Sequence, residues 1–206
     1  RHRKCDVSLL QFTDYVRVAG PTRLSQVAGQ IAQSAEPYDP RRDYYRRFLH
    51  AARLGRRVGQ DREIVEQAVE DAPAHKAGHY AELAAGWLRW APEIADTEVL
   101  PARTARWSSS DLSVRVTPHL VVRHPDGLVE AIRMHVKVEE LKPETAEVML
   151  WLLGQVGNQL HSNGVSPVVV DVRRGVAFRP HQSDRGFSAW MHAEAAAYRR
   201  IWSMVA

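Results

Sequence analysis

The sequence predicts an α+β fold, with a helical N-terminal region followed by a mixed sheet that holds an antiparallel hairpin and is flanked by helices. Three observations lead there. Apolar residues recur at helical spacing through the first half of the chain. After Pro101 the pattern changes to period-two alternation on both sides of Pro125-Asp126-Gly127. A strongly apolar helix then follows Lys142-Pro143 and leads to a further short apolar strand. Strands and helices do not alternate often enough for a doubly wound sheet. The expected division is a helical region at 1–75 and an α/β core at 76–206.

In chain order, residues 7–18 carry Val7, Leu10, Tyr15 and Val18 on one side and stop at Gly20-Pro21, which predicts a first helix. Thr22 can cap a second, with Leu24, Val27, Ala28 and Ile31 on one face. Asp39-Pro40 reads as an N-cap followed by proline in the first turn. The helix it opens has Tyr44, Phe48 and Ala51 inward, runs to about Leu54, and is ended by Gly55 and Gly59. Two more helices are expected over 61–70 and 76–90, separated by Asp71-Ala72-Pro73 and closed by Pro92. Residues 112–122 and 128–138 form the hairpin, since Gly127 can take the left-handed position of a three-residue loop. Residues 145–160 are apolar nearly all round, the mark of a helix buried on more than one side. Asn163-Gly164 closes that helix. Strands at 168–172 and 176–178 flank the turn Arg173-Arg174-Gly175, and a last helix covers 184–204.

Composition narrows the classes of function. The 206 residues are 45% apolar and 25% charged, ordinary values for a globular chain able to bury its own core. Cys5 is the single cysteine, which excludes an intrachain disulfide and a cysteine-based zinc site and favours a reducing compartment. No apolar run approaches the length of a membrane span, and no signal-peptide core follows the basic Arg1-His2-Arg3-Lys4. A cytoplasmic location without membrane contact is expected. A formal charge of +4, with arginine greatly outnumbering lysine, is mildly basic.

A loop at 125–127 pairs His124 with Leu128, which sets His119 opposite Arg133. Arg115, Thr117, His119, Val129, Arg133, His135 and Lys137 then share one face. Leu112, Val114, Val116, Leu120, Ile132, Met134, Val136 and Val138 share the other, which is core, with Glu130 on that apolar side. The first face gathers three fixed cations and two histidines. The order of a strand, a turn, a second strand bearing residues at i and i+2, a helix and another strand resembles the core of the PD-(D/E)XK nucleases. In that family an Asp and an Asp/Glu hold a divalent metal, and the Lys two residues later orients or activates the water. By position, Thr117-Pro118-His119 stands for the first acid and His135-Val136-Lys137 for the acidic-x-Lys motif, so Lys137 alone matches. Magnesium requires carboxylate oxygen, which two imidazoles do not replace. His119 and His135 supply only two ligands to a zinc or manganese ion, on a cationic surface.

A second basic feature lies at 39–57, where seven arginines and two tyrosines fall on one helix. Arg42, Arg46, Arg53 and Arg57 approximate a stripe suited to phosphate oxygens, and tyrosine can stack on bases. The plainer alternative is a solvated helix face. Residues 22–33 and 40–54 could make a helix-turn-helix, although the link between them exceeds the usual turn. His79 and Glu82 lie one helical turn apart, but no partner motif completes a metal site. His181 and His192 are isolated, and neither a Gly-x-Ser-x-Gly nor a phosphate-cradling glycine loop is present.

These features predict a non-catalytic module that binds nucleic acid or a partner protein, of a kind found in uncharacterised bacterial families, with a degenerate nuclease-like site. Its expected nucleic-acid contacts are Arg42, Arg46, Arg53, Arg57, Arg115, Arg133 and Lys137, with His135 beside them; no metal or cofactor is called for. One alternative is an active nuclease using Mg or Mn, with Lys137, His135 and His119 as catalytic candidates and acids from Glu82, Glu130 or Glu139. The other is a structural or interaction protein.

Overall fold

A computed structural model describes residues 5–35, 44–181 and 185–206, and within them the chain is α+β with mixed sheets. The first element is a strand, β1 (Cys5–Ser8), in place of the expected helical turn. Cys5 and Val7 point inward, and β1 runs parallel to β4 (Leu112–Val116), with Cys5 beside Leu112. Helix α1 (Leu9–Val16) starts only after Ser8, which caps it reciprocally. Ser8 Oγ accepts from the Gln11 N–H at 3.2 Å, and Gln11 Oε1 accepts from the Ser8 N–H at 2.8 Å. Helix α2 (Thr22–Ala35) follows Gly20. The Asp39-Pro40 cap falls outside the described residues.

Helix α3 (Arg46–Val58) runs through Gly55 and stops at Gly59, whose φ of +70° suits glycine. Gly55 therefore does not end the helix. A Cβ there would sit 2.9 Å from the Asp61 Cα, so the missing side chain lets α4 (Asp61–Glu70) fold back against α3. Helix α5 (Ala74–Trp90) continues into a 3-10 turn, Ala91–Ile94. The expected boundary between residues 75 and 76 falls inside α5.

Three short strands complete the first part of the sheets: β2 (Glu98–Leu100), β3 (Ala105–Ser109) and β4. The long strand expected over 112–122 is two strands. Pro118 has no N–H to give a ladder, and the chain passes there from β4 into β5 (Leu120–Arg123), which belongs to a different sheet. β5 pairs antiparallel with β6 (Val129–His135) in the expected register, from Arg123 opposite Val129 to Leu120 opposite Ile132. The turn between them has Gly127 at φ +89°.

Helix α6 (Pro143–Gln155) buries Val148, Met149, Leu150, Leu152 and Leu153, and a short α7 (Gly157–Leu160) follows a break at Val156. β7 (Ser166–Asp171) lies parallel to β6, and β8 (Val176–Phe178) closes the edge. Helix α8 (Arg185–Val205) is last. The two sheets have the orders β1-β4-β3 and β2-β5-β6-β7-β8.

The five-stranded sheet is covered on both faces. Ile132, Met134, Val168 and Val170 pack with α3, α4 and α5, while Ala131 and Val169 pack with α6 and with the core of the three-stranded sheet. Both cores draw on residues from either side of position 75. Among the described residues, no helix is long and apolar enough to cross a membrane.

Candidate nucleic-acid interface

Helix α3 buries Phe48, Ala51, Ala52 and Gly55 on one side. Arg46, Arg53 and Arg57 are exposed and lie opposite that side, with His50 between them on the same stripe. Among the described residues none of these three arginines enters an ion pair. Their neighbour Arg56 points elsewhere: it is enclosed and meets Asp61 at 3.2 Å, tying α3 to α4. Arg42 lies outside the described residues.

The cationic face expected on the hairpin is dispersed by the break at Pro118. Arg115 belongs to the three-stranded sheet, where its Nε lies 3.4 Å from Asp6 and Arg106 shares that carboxylate at 2.8 Å. Lys137 lies past the end of β6, with Nζ 3.4 Å from Asp14 of α1. His119 and Arg133 are not ladder partners, because regular pairing ends at Leu120 and Ile132. Instead the His119 N–H donates to the Ile132 carbonyl at 2.8 Å, and His119 Nδ1 accepts from the Met134 N–H at 2.9 Å. The imidazole thus supplies the acceptor that a continuing strand would have offered. An accepting Nδ1 leaves the proton on Nε2. Burial, with help from the positive charges of Arg133 and then Arg53, holds the His119 pKa well below its ordinary value.

Arg133 donates from Nη1 to the Thr117 carbonyl at 2.8 Å, while its Nε is buried without a hydrogen-bond partner. Burial pulls its pKa down to about 10. His135 is buried, and its Nε2 lies 2.8 Å from the Glu139 carbonyl, which closes the turn after β6. Its pKa is lowered chiefly by burial, against the opposing effect of that hydrogen bond and of Asp171 beside it on β7.

The acids expected from elsewhere have other partners. Glu82 pairs with Arg173. Glu130 is buried between His124 at 3.0 Å and Arg179 at 3.4 Å. The side chain of Glu139 is exposed. Two acids that the sequence reading passed over, Asp14 and Asp171, lie nearer the strand end. Asp14 is held by Lys137 and Arg17, and Asp171 accepts from the Leu141 N–H at 3.0 Å and from Arg174 at 3.1 Å. Among the described residues, no group of three or more His, Cys, Asp or Glu side chains is arranged to hold a metal ion. Apart from the exposed Glu139, these carboxylates are each engaged by a cation or an N–H, which leaves little free anionic charge for Mg or Mn.

Arg173, read from the sequence only as part of a turn, is the central connector here. Its enclosed guanidinium donates to the carbonyls of Val136 and Lys137 at 3.3 and 3.0 Å and to the Tyr45 hydroxyl at 3.2 Å, and it meets Glu82. It thereby fixes the end of β6 to α5. Its sequence signal was only an Arg-Arg pair before a glycine, which carries no information about long-range partners. In comparisons with known proteins, no protein-family model matches the chain and no curated protein is significantly similar to it.

Proposed function

We propose that this chain is a non-catalytic nucleic-acid-binding module built on a degenerate PD-(D/E)XK-like core. The observation that carries the reading is the stripe of Arg46, Arg53 and Arg57 on α3, exposed and without ion pairs among the described residues. Unpaired guanidiniums spread over about 16 Å of helix suit a run of phosphates better than any small ligand. The nuclease-like part of the reading draws support from topology. Antiparallel β2, β5 and β6 are followed by α6 and by β7 parallel to β6. The loss of catalysis follows from chemistry: Lys137 faces one carboxylate that is already shared with Arg17, and imidazoles stand in the acid positions. Of the expected contacts, Arg46, Arg53, Arg57 and Arg133 keep their role in this proposal, while the ion-paired Arg115 and Lys137 are secondary.

A fluorescence titration with a short labelled duplex and a short single strand, repeated at several salt concentrations, tests the reading. The log of affinity should fall nearly linearly with log salt. Arg46→Ala or Arg57→Ala should flatten the slope by about one unit and weaken binding similarly for every sequence. The bound strands should stay intact in Mg²⁺. Absence of binding at low salt removes the nucleic-acid reading.

A partner-protein module is the second reading. It draws on an apolar hollow of about 390 Å³ between α6, β8 and α8, lined by Leu150, Trp151, Phe178 and Phe187 with Glu144 and Glu147 at its edge.

A further inference from the structure

The hollow between α6, β8 and α8 has the size and the walls of a small-molecule site. Its volume of about 390 Å³ falls among such sites, which span roughly 300–1000 Å³. Its aromatic walls are braced by other rings. Trp151 stands edge-on to Trp107 with ring centroids 5.1 Å apart, and Phe187 edge-on to Trp190 at 5.2 Å. Gly154 keeps part of the wall low. It lies inside α6 without a positive φ, and outside its own helix a Cβ there would meet only the Pro167 side chain at 3.9 Å, an ordinary contact. Neither backbone conformation nor crowding calls for glycine, which is less favourable in a helix than alanine. Its effect is to leave space in the hollow that it lines. The charge there is one-sided. Glu144 and Glu147, one turn apart, line the hollow, and neither enters an ion pair among the described residues. Glu144 also suits the positive end of α6, but Glu147 lies a turn further on. The guanidinium of Arg179, which lines the hollow too, is engaged by Glu130 at 3.4 Å and Glu93 at 3.2 Å.

We propose that this hollow binds a small organic amine in its protonated form. The aromatic or branched body of the amine lies among Leu150, Trp151, Phe178 and Phe187, and its ammonium lies at Glu144 and Glu147. Trp151 follows Glu147 by four residues on the same helix face, so its ring stands beside the ammonium and adds a cation–π attraction. The occupant is a free molecule rather than a protein segment. A protein partner needs a broad patch, roughly 800 Å² on each side, and none of the exposed large apolar side chains among the described residues belongs to α6. Helix α3 contributes nothing to the hollow, so this site is independent of the nucleic-acid reading.

The probes are phenylbutylamine, phenylbutanol and phenylbutyrate, which share an apolar body and differ in charge. Each is titrated into the full chain at pH 8, above the ordinary range of imidazole and below that of an alkyl amine. The amine should raise the melting temperature and shift the indole N–H signal of Trp151. It should bind about fivefold more tightly than the alcohol, the upper range for a solvent-accessible ion pair, and the carboxylate should bind more weakly than either. Glu144→Gln together with Glu147→Gln should bring the amine down to the level of the alcohol and leave the alcohol unchanged. Gly154→Leu should remove binding of all three probes, while the free chain melts no lower than wild type because leucine suits a helix better than glycine. Equal binding of the three probes overturns the amine site, and so does amine binding that both variants leave unchanged. Absence of binding by every probe also overturns it, and leaves the hollow to the partner-protein reading. Amine binding by a chain that takes up no oligonucleotide upholds this site and removes the nucleic-acid reading alone.

Discussion

His119 and His135 are both kept uncharged by burial, and this gives the fold a definite response to acid. Each has a pKa lowered from the ordinary value of 6.5. In the unfolded chain they take up protons near pH 6.5, while in the folded chain they do so only at lower pH. The unfolded state therefore binds more protons in that window, and stability falls as pH drops below about 6.5. The limiting slope is about 1.4 kcal/mol per pH unit for each histidine. Denaturant unfolding measured from pH 7.5 to 5 should show this decline. His119→Asn keeps an acceptor for the Met134 N–H but cannot titrate, and should remove one histidine's share of the slope. An unchanged slope in that variant would mean that the imidazole is free to protonate in the folded chain.

At the scale of elements, Gly86 lets α5 lie close against the turn that follows β7. A Cβ at Gly86 would fall 1.8 Å from the Val172 carbonyl oxygen and 2.6 Å from that of Arg173. Both are backbone atoms, so neither can swing aside. Gly86→Ala should cost about 3 kcal/mol or more, at the upper end of overpacking effects, as read by the shift of the denaturation midpoint. The same variant should disturb Arg173 and through it the carbonyls of Val136 and Lys137. A stability close to wild type would mean that α5 can slide away from the sheet. Nothing in the sequence marked Gly86, because the contact depends on how a helix lies across a strand some eighty residues later. The β5–β6 register was legible for the opposite reason: alternation and a glycine turn are both local, and they settle pairing together. β1 was hidden because Val7 fits the apolar spacing of the helix that follows, and β2 has only three residues, too few to display a period. The division between β4 and β5 was written in Pro118, but the alternation on either side outweighed it. That error also misplaced Arg115 in the candidate interface, since residues that share a parity share a face only while the strand is continuous. The shared exposure of Arg46, Arg53 and Arg57 was legible because a helix imposes its period within a single element, while Arg42 lies outside the described residues.

At the scale of the whole molecule, Cys5 reports on whether β1 is docked on the three-stranded sheet. It is 1% exposed, and burial pushes its thiol pKa up to about 12. The reactive species is the thiolate, so the native chain should resist alkylation near neutral pH. Labelling by a thiol reagent should then follow the rate at which β1 detaches, and fast labelling in the native state would show β1 to be loosely held. β1 and its partner β4 are separated by more than a hundred residues of sequence. During synthesis β1 is made first and must wait, unpaired, until β4 emerges, and such distant closures are slow compared with formation of the α3–α4 hairpin. Once β4 has emerged and until β1 docks, the side of β4 that β1 will occupy is an open template for a strand from another copy. The first strand is thus a time-dependent safeguard: the sooner it docks on the growing chain, the shorter the period in which two nascent molecules can capture each other.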